Sequence, residues 1–147
     1  MQLSVIVPTL NGRDQLSSCL DQLTATAPDA ELIVVNGPSA DGTTGMVRDR
    51  DDVDVLVEVS ARTVNVARNA GIEVASGDSI AFVSDDLRVE DSWRTAITEG
   101  LTDAPVVTGP THRTVTGGMT TESPETQRIA GREVSYVSAS NVAFETA

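Results

Sequence analysis

Two adjacent carboxylates, Asp85 and Asp86, follow the continuous apolar run at residues 80–83 after a single serine. Neighbouring carboxylates repel each other unless a cation or strong hydrogen-bond donors stabilise them. Magnesium typically binds one or two protein carboxylates and takes its remaining ligands from water and substrate phosphates. The pair is therefore either a divalent-cation site or a solvated acidic turn, and in so acidic a chain the pair by itself leaves both interpretations open.

Polar clusters also follow two other apolar runs. Pro8, Thr9 and Asn11 come after residues 3–7, and Asn36 comes after residues 32–35. In a parallel sheet, ligands bind at the carboxyl ends of the strands, so these clusters are expected to meet Asp85 and Asp86 at one edge. The first turn matches neither G-x-G-x-x-G nor a P-loop, because it has a single glycine and the chain has no lysine.

Strands and helices alternate along the sequence. Apolar, mostly β-branched runs predict strands at residues 3–7, 32–35, 53–57, 80–83 and 106–108. Helical periodicity predicts helices at residues 13–25, 63–75 and 91–101, and a short one from an Asp41 N-cap to about residue 48. A loop or hairpin is expected at 110–128, followed by a further strand at 134–137 and by the start of another, unassigned element at 141–144. This order predicts one α/β domain, a mostly parallel sheet with helices on both faces.

Two residues with reactive or aromatic side chains fall on apolar helical stripes. Cys19, the only cysteine, shares its stripe with Leu16, Leu20 and Leu23, so we expect a buried thiol and no intrachain disulfide. Trp93 shares a stripe with Ile97 and Leu101, and we expect it in the core rather than in a sugar-stacking position.

The charge balance excludes several classes of partner. The 147 residues include 22 acidic and 10 basic ones, all arginine, and the net charge is −12. Binding to a nucleic-acid backbone or an anionic membrane surface requires clustered positive charge, which this sequence lacks. A transmembrane helix requires about 18 consecutive apolar residues, and the sequence contains no such run. The acids are dispersed, which favours adaptation to high salt over an acidic binding tail. Because residues 1–4 show no signal-peptide pattern and no apolar run is long enough to span a membrane, a cytoplasmic location is expected.

Four segments together resemble family 2 glycosyltransferases of the GT-A fold, with a haloarchaeal composition. The order and spacing of the segments agree with that family over essentially the whole chain. They are residues 4–11 (SVIVPTLN), 33–43 (IVVNGPSADGT), 65–86 (NVARNAGIEVASGDSIAFVSDD) and 138–144 (SASNVAF).

The resemblance implies transfer of a sugar, with inversion, from a nucleotide-diphosphate sugar to a hydroxyl acceptor such as a glycan or a lipid-linked sugar. It implies Mg²⁺ or Mn²⁺ held by Asp86, and Asn141 on the acceptor side. Arg68 contacts the nucleotide in this interpretation; the alternative is a surface arginine paired with one of the many acids. Residues 1–104 would form the nucleotide-binding half of the single domain 1–147, and 105–147 the start of the acceptor half. The implied nucleotide-binding residues are Pro8, Thr9, Asn11, Asn36, Arg68 and Asp85.

The sequence departs from the family pattern in three places. Asn36-Gly37 stands where many members have Asp-Asp or Asp-Asn, and Ser84 stands where many have a further Asp. The third departure concerns the general base, an acidic residue that the family carries well beyond the 141–144 segment. We therefore expect the base beyond Ala147, in a domain truncated before it.

Two acids and two other functions remain as alternatives. Glu122 and Glu145 are available as bases, but no pattern supports either. The chain could instead be a sugar-phosphate nucleotidyltransferase or a non-catalytic nucleotide-binding fragment that lacks the general base. The sequence does not determine the oligomeric state.

Overall fold

The structure, a computed structural model, describes residues 1–109 and 140–146 in full, and between them only the backbone of four short strands. The helices in the described part are Arg13–Thr26 (α1), Thr43–Arg48 (α2), Val64–Val74 (α3) and Trp93–Asp103 (α4). The strands of the main sheet are Leu3–Thr9 (β1), Glu31–Asn36 (β2), Val55–Glu58 (β3), Ser79–Val83 (β4), Val106–Thr108 (β5) and Asn141–Glu145 (β10). The four short strands are His112–Val115 (β6), Gly118–Thr121 (β7), Thr126–Ile129 (β8) and Arg132–Ser135 (β9).

The main sheet has the order β3-β2-β1-β4-β10-β5. Its first four strands are parallel, and β10 lies antiparallel between β4 and β5. The predicted mostly parallel α/β sheet is thus confirmed. The expected hairpin within 110–128 is also present, since β6 pairs antiparallel with β7.

Alternate residues of β1 enter two separate cores, one on each face of the sheet. Leu3, Val5 and Val7 pack with the buried stripes of α1 and α4, while Ile6 packs with Ala67 of α3 on the other face. The stripe of α1 is buried at Leu16, Cys19, Leu20 and Leu23, and that of α4 at Trp93, Ile97 and Leu101, as predicted. Helices therefore cover both faces, which leaves the carboxyl edge of the parallel strands open for a site.

Strand β1 continues through Pro8 to Thr9, two residues beyond its predicted end. Pairing of β1 with β4 stops at Ile6 and Phe82, whereas pairing with β2 continues to Thr9. The Thr9 carbonyl accepts a hydrogen bond from Gly37 N–H at 2.9 Å on the β2 side. Since successive residues of a strand direct their backbone groups to opposite sides, Pro8 faces the β4 side, where its missing N–H costs no hydrogen bond.

No helix within the described ranges has the length and apolar character needed to cross a membrane.

A substitution at Gly71 of α3 tests how closely this helix packs on β1. A Cβ at Gly71 would lie 2.5 Å from Cγ2 of the fully buried Ile6, whereas a Cβ at Gly45 in α2 would meet nothing within 4 Å. We expect Gly71→Ala to lower the free energy of unfolding by about 1–3 kcal/mol through overpacking. The matched Gly45→Ala should be neutral or stabilise by up to about 1 kcal/mol through helix propensity. Urea denaturation of both variants measures this, and equal stabilities would contradict the packing described.

Candidate active site

The polar segments that follow β1, β2 and β4 meet at the carboxyl edge of the sheet, as the sequence predicts. Thr9 contacts Asp85 through their side chains, and Asn11 contacts Ser39 and Ala40 of the loop after β2. Three chain segments that are distant in sequence therefore form one surface.

An opening lies beyond the point where β1 and β4 stop pairing, between the end of β1 and the start of α3, and we call it the β1–β4 cleft. It has a volume of about 120 Å³ on the α3 side of the sheet. Here β1 has β2 on one side and β4 on the other, so the order in which strands are added to the sheet reverses direction at β1. Open α/β sheets bind ligands at such a reversal of strand order. Residues lining the cleft include Pro8, Thr9, Gly37, Arg62, Thr63 and Asp85.

Asp85 is half-buried at the mouth of the cleft and is held through both carboxylate oxygens. Thr9 Oγ1 donates to its Oδ2 at 2.8 Å, and Gln15 Nε2 donates to its Oδ1 at 2.9 Å. Burial raises the pKa of Asp85 above its ordinary value and the Asp86 carboxylate adds to this, while the two hydrogen bonds oppose the rise. Asp85 is thus a fixed carboxylate just beyond β4, a strand whose five residues are all buried.

Asp86 differs from its neighbour in exposure and in partners. Its side chain is exposed, and no described residue hydrogen-bonds or ion-pairs with it. The same turn therefore presents one anchored carboxylate and one that is free to bind a ligand from solvent.

Asn11 connects the loops after β1 and β2. It has a φ of 52°, in the left-handed region that asparagine tolerates better than most residues. Its Oδ1 accepts from Ala40 N–H at 2.7 Å, and its own N–H donates to Ser39 Oγ at 3.0 Å. Asp41 adds a second connection, because its Oδ2 accepts from Arg13 N–H at 3.1 Å. The N-cap of α2 is Gly42, with a φ of 90°, one residue later than predicted.

Asn36 lies beneath this surface rather than on it. It is 1% exposed; Nδ2 donates to Thr44 Oγ1 at 2.8 Å, and Oδ1 accepts from Ser39 Oγ at 2.6 Å. In this position the amide holds the loop after β2 and does not face the cleft with a free edge. Asn36, which the resemblance implies as a nucleotide-binding residue, thus makes its described side-chain hydrogen bonds within the loop after β2 and the start of α2.

Arg68 lies on α3 over the carboxyl-terminal part of β4. Its Cζ is 5.8 Å from the centroid of the Phe82 ring, and Nη1 donates to Asn65 Oδ1 at 3.4 Å. Its Nε is buried without a hydrogen-bond partner, and no acidic residue in the described ranges pairs with it. The alternative of a surface arginine paired with an acid is therefore not what the structure shows.

Asn141, expected on the acceptor side, begins β10 beside the end of β4. Trp93 Nε1 donates to its Oδ1 at 3.1 Å, and its Nδ2 donates to the Gly109 carbonyl at 3.5 Å. Trp93 is 9% exposed, so the prediction that it lies in the core is confirmed. Asn141 thus joins α4 to the sheet close to Asp85.

Glu145, one of the two acids considered as general bases, lies far from the carboxylate pair. It pairs with Ser79 at the amino end of β4, roughly 13 Å of strand from Val83 at about 3.3 Å per residue. It therefore lies at the wrong end of the sheet to act beside Asp85.

The general base is not assigned by the described part of the chain. Glu122, the other acid considered, lies outside the described residues. The identity of the general base therefore stays a prediction from the family resemblance.

Sequence reasoning missed Gln15 and Gly12. Gln15 is on the exposed side of α1, where a polar residue carries no pattern that distinguishes a site from a solvated face. Gly12 is needed because a Cβ there would lie 2.5 Å from Asp85 Oδ2. That close approach depends on the tertiary position of Asp85, so the sequence of the turn does not reveal it.

This architecture is that of GT-A glycosyltransferases. The mannosyltransferase PcManGT of Pyrobaculum calidifontis, solved with GDP-Man and Mn²⁺, matches with a TM-score of 0.66 and 26% identity over 73% of this chain and 34% of its own. Glucosyl-3-phosphoglycerate synthase of Mycobacterium tuberculosis matches with a TM-score of 0.61 and 21% identity, over 73% of this chain and 42% of its own.

The chain belongs to the family described as Glycosyl transferase family 2, whose sequence model matches residues 4–145. Glycosyltransferase AglE of Haloferax volcanii is 34% identical over 98 residues, which cover 62% of this chain and 32% of AglE. This chain therefore aligns with about a third of the length of that relative.

The hydrogen bonds of Asn36 predict a stability effect. Asn36→Leu is similar in size but leaves the Ser39 and Thr44 hydroxyls without this partner, so we expect the free energy of unfolding to fall by about 1–3 kcal/mol. Asn69→Leu is the matched control, because Asn69 is exposed on α3 and has no described partner. Chemical denaturation of both variants distinguishes them; an equal change in stability would show that the buried amide does not anchor the loop.

Cys19 provides a chemical test of the core beneath the site. Its Sγ donates to the Ser84 carbonyl at 3.6 Å. Burial, followed by the charges of Asp85 and Asp86, raises the pKa of the Cys19 thiol to about 12. At pH 8 only about one thiol in ten thousand would be ionised, and the thiolate is the reactive form. We expect no labelling by Ellman's reagent in the native protein and one thiol per chain after denaturation; rapid native labelling would contradict this burial.

Proposed function

We propose that this domain binds a nucleotide-diphosphate sugar together with a divalent cation and serves a glycosyltransferase that inverts the anomeric centre of the transferred sugar. The observation that carries the proposal is the pair of carboxylates at the end of β4, with Asp85 anchored at the β1–β4 cleft and Asp86 free and exposed. Membership of family 2 and the resemblance to PcManGT support it.

The donor set fits Mg²⁺ or Mn²⁺. The described residues contain no group of three or more His, Cys, Asp or Glu side chains that could hold a metal by themselves. A hard cation bound by one or two carboxylates completes its shell with water and substrate phosphates, and Asp86 offers such a carboxylate. When bound, the cation stabilises the negative charge that develops on the departing nucleoside diphosphate. PcManGT was solved with Mn²⁺ and GDP-Man.

The nucleoside would occupy the β1–β4 cleft. Pro8 and Thr9 form part of its lining, and Asp85 at its mouth has lone pairs left to accept from ribose hydroxyls. Arg68 carries a guanidinium without an acidic partner in the described ranges and would attract the diphosphate. Asn11 and Asn36 would act by holding the loops after β1 and β2 rather than by contacting the base.

The acceptor would approach from the side of β10, where Asn141 lies beside the end of β4. A glycan or a lipid-linked sugar is the acceptor class we propose. Residues 1–104 would then form the nucleotide-binding half, and residues 105–147 would begin the acceptor half while contributing β5 and β10 to the same sheet.

We also infer adaptation to high salt and a cytoplasmic location. The net charge of −12, the absence of lysine and the dispersed acids support salt adaptation, as does the relative from Haloferax volcanii. Binding experiments on this chain should therefore be made in molar KCl.

Of the two alternatives, a sugar-phosphate nucleotidyltransferase has less support, because the family 2 match extends over residues 4–145. A non-catalytic nucleotide-binding fragment would bind the same ligands, and it differs from our proposal only in giving no turnover with any acceptor.

Asp86→Ala tests the proposal. We expect calorimetric titration of the wild type with UDP, GDP or dTDP to show binding of at least one nucleotide, strengthened by Mn²⁺. Asp86→Ala should weaken the Mn²⁺-dependent affinity by about tenfold or more, the equivalent of one charged contact. Asp91→Ala is the matched control, since Asp91 is another exposed acid without a described partner. No binding of any nucleotide, or equal affinities for Asp86→Ala and the control, would refute the site.

A further inference from the structure

Gln15 hydrogen-bonds to a carboxylate of the proposed donor site and is not among the residues that line the cleft. It lies in the first turn of α1 and is exposed, and its Nε2 donates to Asp85 Oδ1 at 2.9 Å. Thr9, at the end of β1, donates to the other oxygen at 2.8 Å. The Asp85 carboxylate is thus fixed from two elements at once, which restrains its rotation about both side-chain torsions.

Gly12 provides the space in which these three side chains meet. A Cβ at this position would lie 2.5 Å from Asp85 Oδ2, 2.9 Å from Thr9 Oγ1 and 3.2 Å from Gln15 Nε2. Its φ of −115° is accessible to any residue, so a steric requirement rather than backbone conformation accounts for the glycine. The chain therefore maintains a compact arrangement of Gln15, Thr9 and Asp85 that a larger residue would disrupt.

Both donors to Asp85 are neutral. An arginine or lysine in their place would hold the carboxylate equally well but would cancel its charge and weaken the attraction for a cation. No described cationic side chain forms an ion pair with Asp85 or Asp86. The amide of Gln15 and the hydroxyl of Thr9 thus fix the geometry of the pair while preserving its negative charge.

We propose that Gln15 is a positioning residue of the donor site: it orients the Asp85 carboxylate so that the Asp85–Asp86 turn binds a divalent cation and a nucleoside diphosphate together. Gln15 acts through Asp85 and does not itself contact the ligand. This inference rests on the proposed function, because it assigns a residue to that same site.

The test compares substitutions at two glutamines of α1. Gln15→Met keeps the length of the side chain and removes the donor, and Gln22→Met is the control because Gln22 has no described partner. Gln15→Glu removes the donor and adds a charge. The readouts are the affinity for Mn²⁺, followed by electron paramagnetic resonance of the free ion, and the affinity for UDP and GDP by calorimetry with and without Mn²⁺. Thermal unfolding of each variant monitors the fold.

We expect Gln15→Met to weaken the Mn²⁺-dependent nucleotide affinity by about five- to tenfold, the equivalent of one hydrogen bond to a charged group, with little change in thermal stability. Gln15→Glu should also weaken it, because the new carboxylate repels Asp85. Affinities of Gln15→Met within twofold of Gln22→Met would overturn the inference, and so would tighter Mn²⁺ binding by Gln15→Glu, which would show that charge rather than position matters. Absence of any Mn²⁺-dependent nucleotide binding by the wild type would overturn the proposed function and this inference with it.

Discussion

The site depends on the point at which β1 and β4 stop pairing. The two strands are joined from Leu3 to Ile6 against Ser79 to Phe82, and the residues beyond these pairs follow different neighbours. Strand β1 stays with β2 as far as Thr9, where Pro8 removes a donor on the β4 side, while β4 ends at Val83 next to β10. This divergence leaves Thr9 within hydrogen-bond distance of Asp85, and both residues line the cleft. Tight packing on both faces of β1 maintains it, with Val5 and Val7 on one side and Ile6 on the other.

The two carboxylates at this point have different environments although they are adjacent in sequence. Partial burial and two neutral donors hold Asp85 in one orientation, whereas Asp86 is exposed. A fixed anion beside a free one suits a cation that must also accept phosphate oxygens and water as ligands. The two carboxylates also affect the core beneath the site, because their negative charges contribute to the high pKa of the Cys19 thiol. The turn after β4 therefore supplies the negative charge both for a bound cation and for the core beneath the site.

Sequence patterns predicted most of this fold, because alternating strands and amphipathic helices leave a strong periodic signal. The helices near residues 13–25 and 91–101, the buried Cys19 and Trp93, and the convergence of three polar turns were all predictable. The insertion of β10 between β4 and β5 was not, because strand order depends on tertiary pairing that local patterns do not encode. The same reason explains Glu145, which is near Asn141 in sequence but at the far end of the sheet. The position of Asn36 after β2 suggested a nucleotide-binding residue, whereas in the fold it is buried and its amide holds the loop after β2. Gln15 lies on the exposed side of α1, and no sequence pattern indicated its contact with Asp85.

A crystal structure of the chain grown with Mn²⁺ and either UDP or GDP, with the manganese located by its anomalous signal, tests the central claim most directly. Our account predicts a manganese ion bound directly by an Asp86 oxygen and by the diphosphate, the nucleoside in the β1–β4 cleft, and Asp85 still held by Thr9 and Gln15. Manganese at the acids of residues 51–54, which line a separate cavity of about 240 Å³, would contradict it, as would a nucleoside bound outside the cleft.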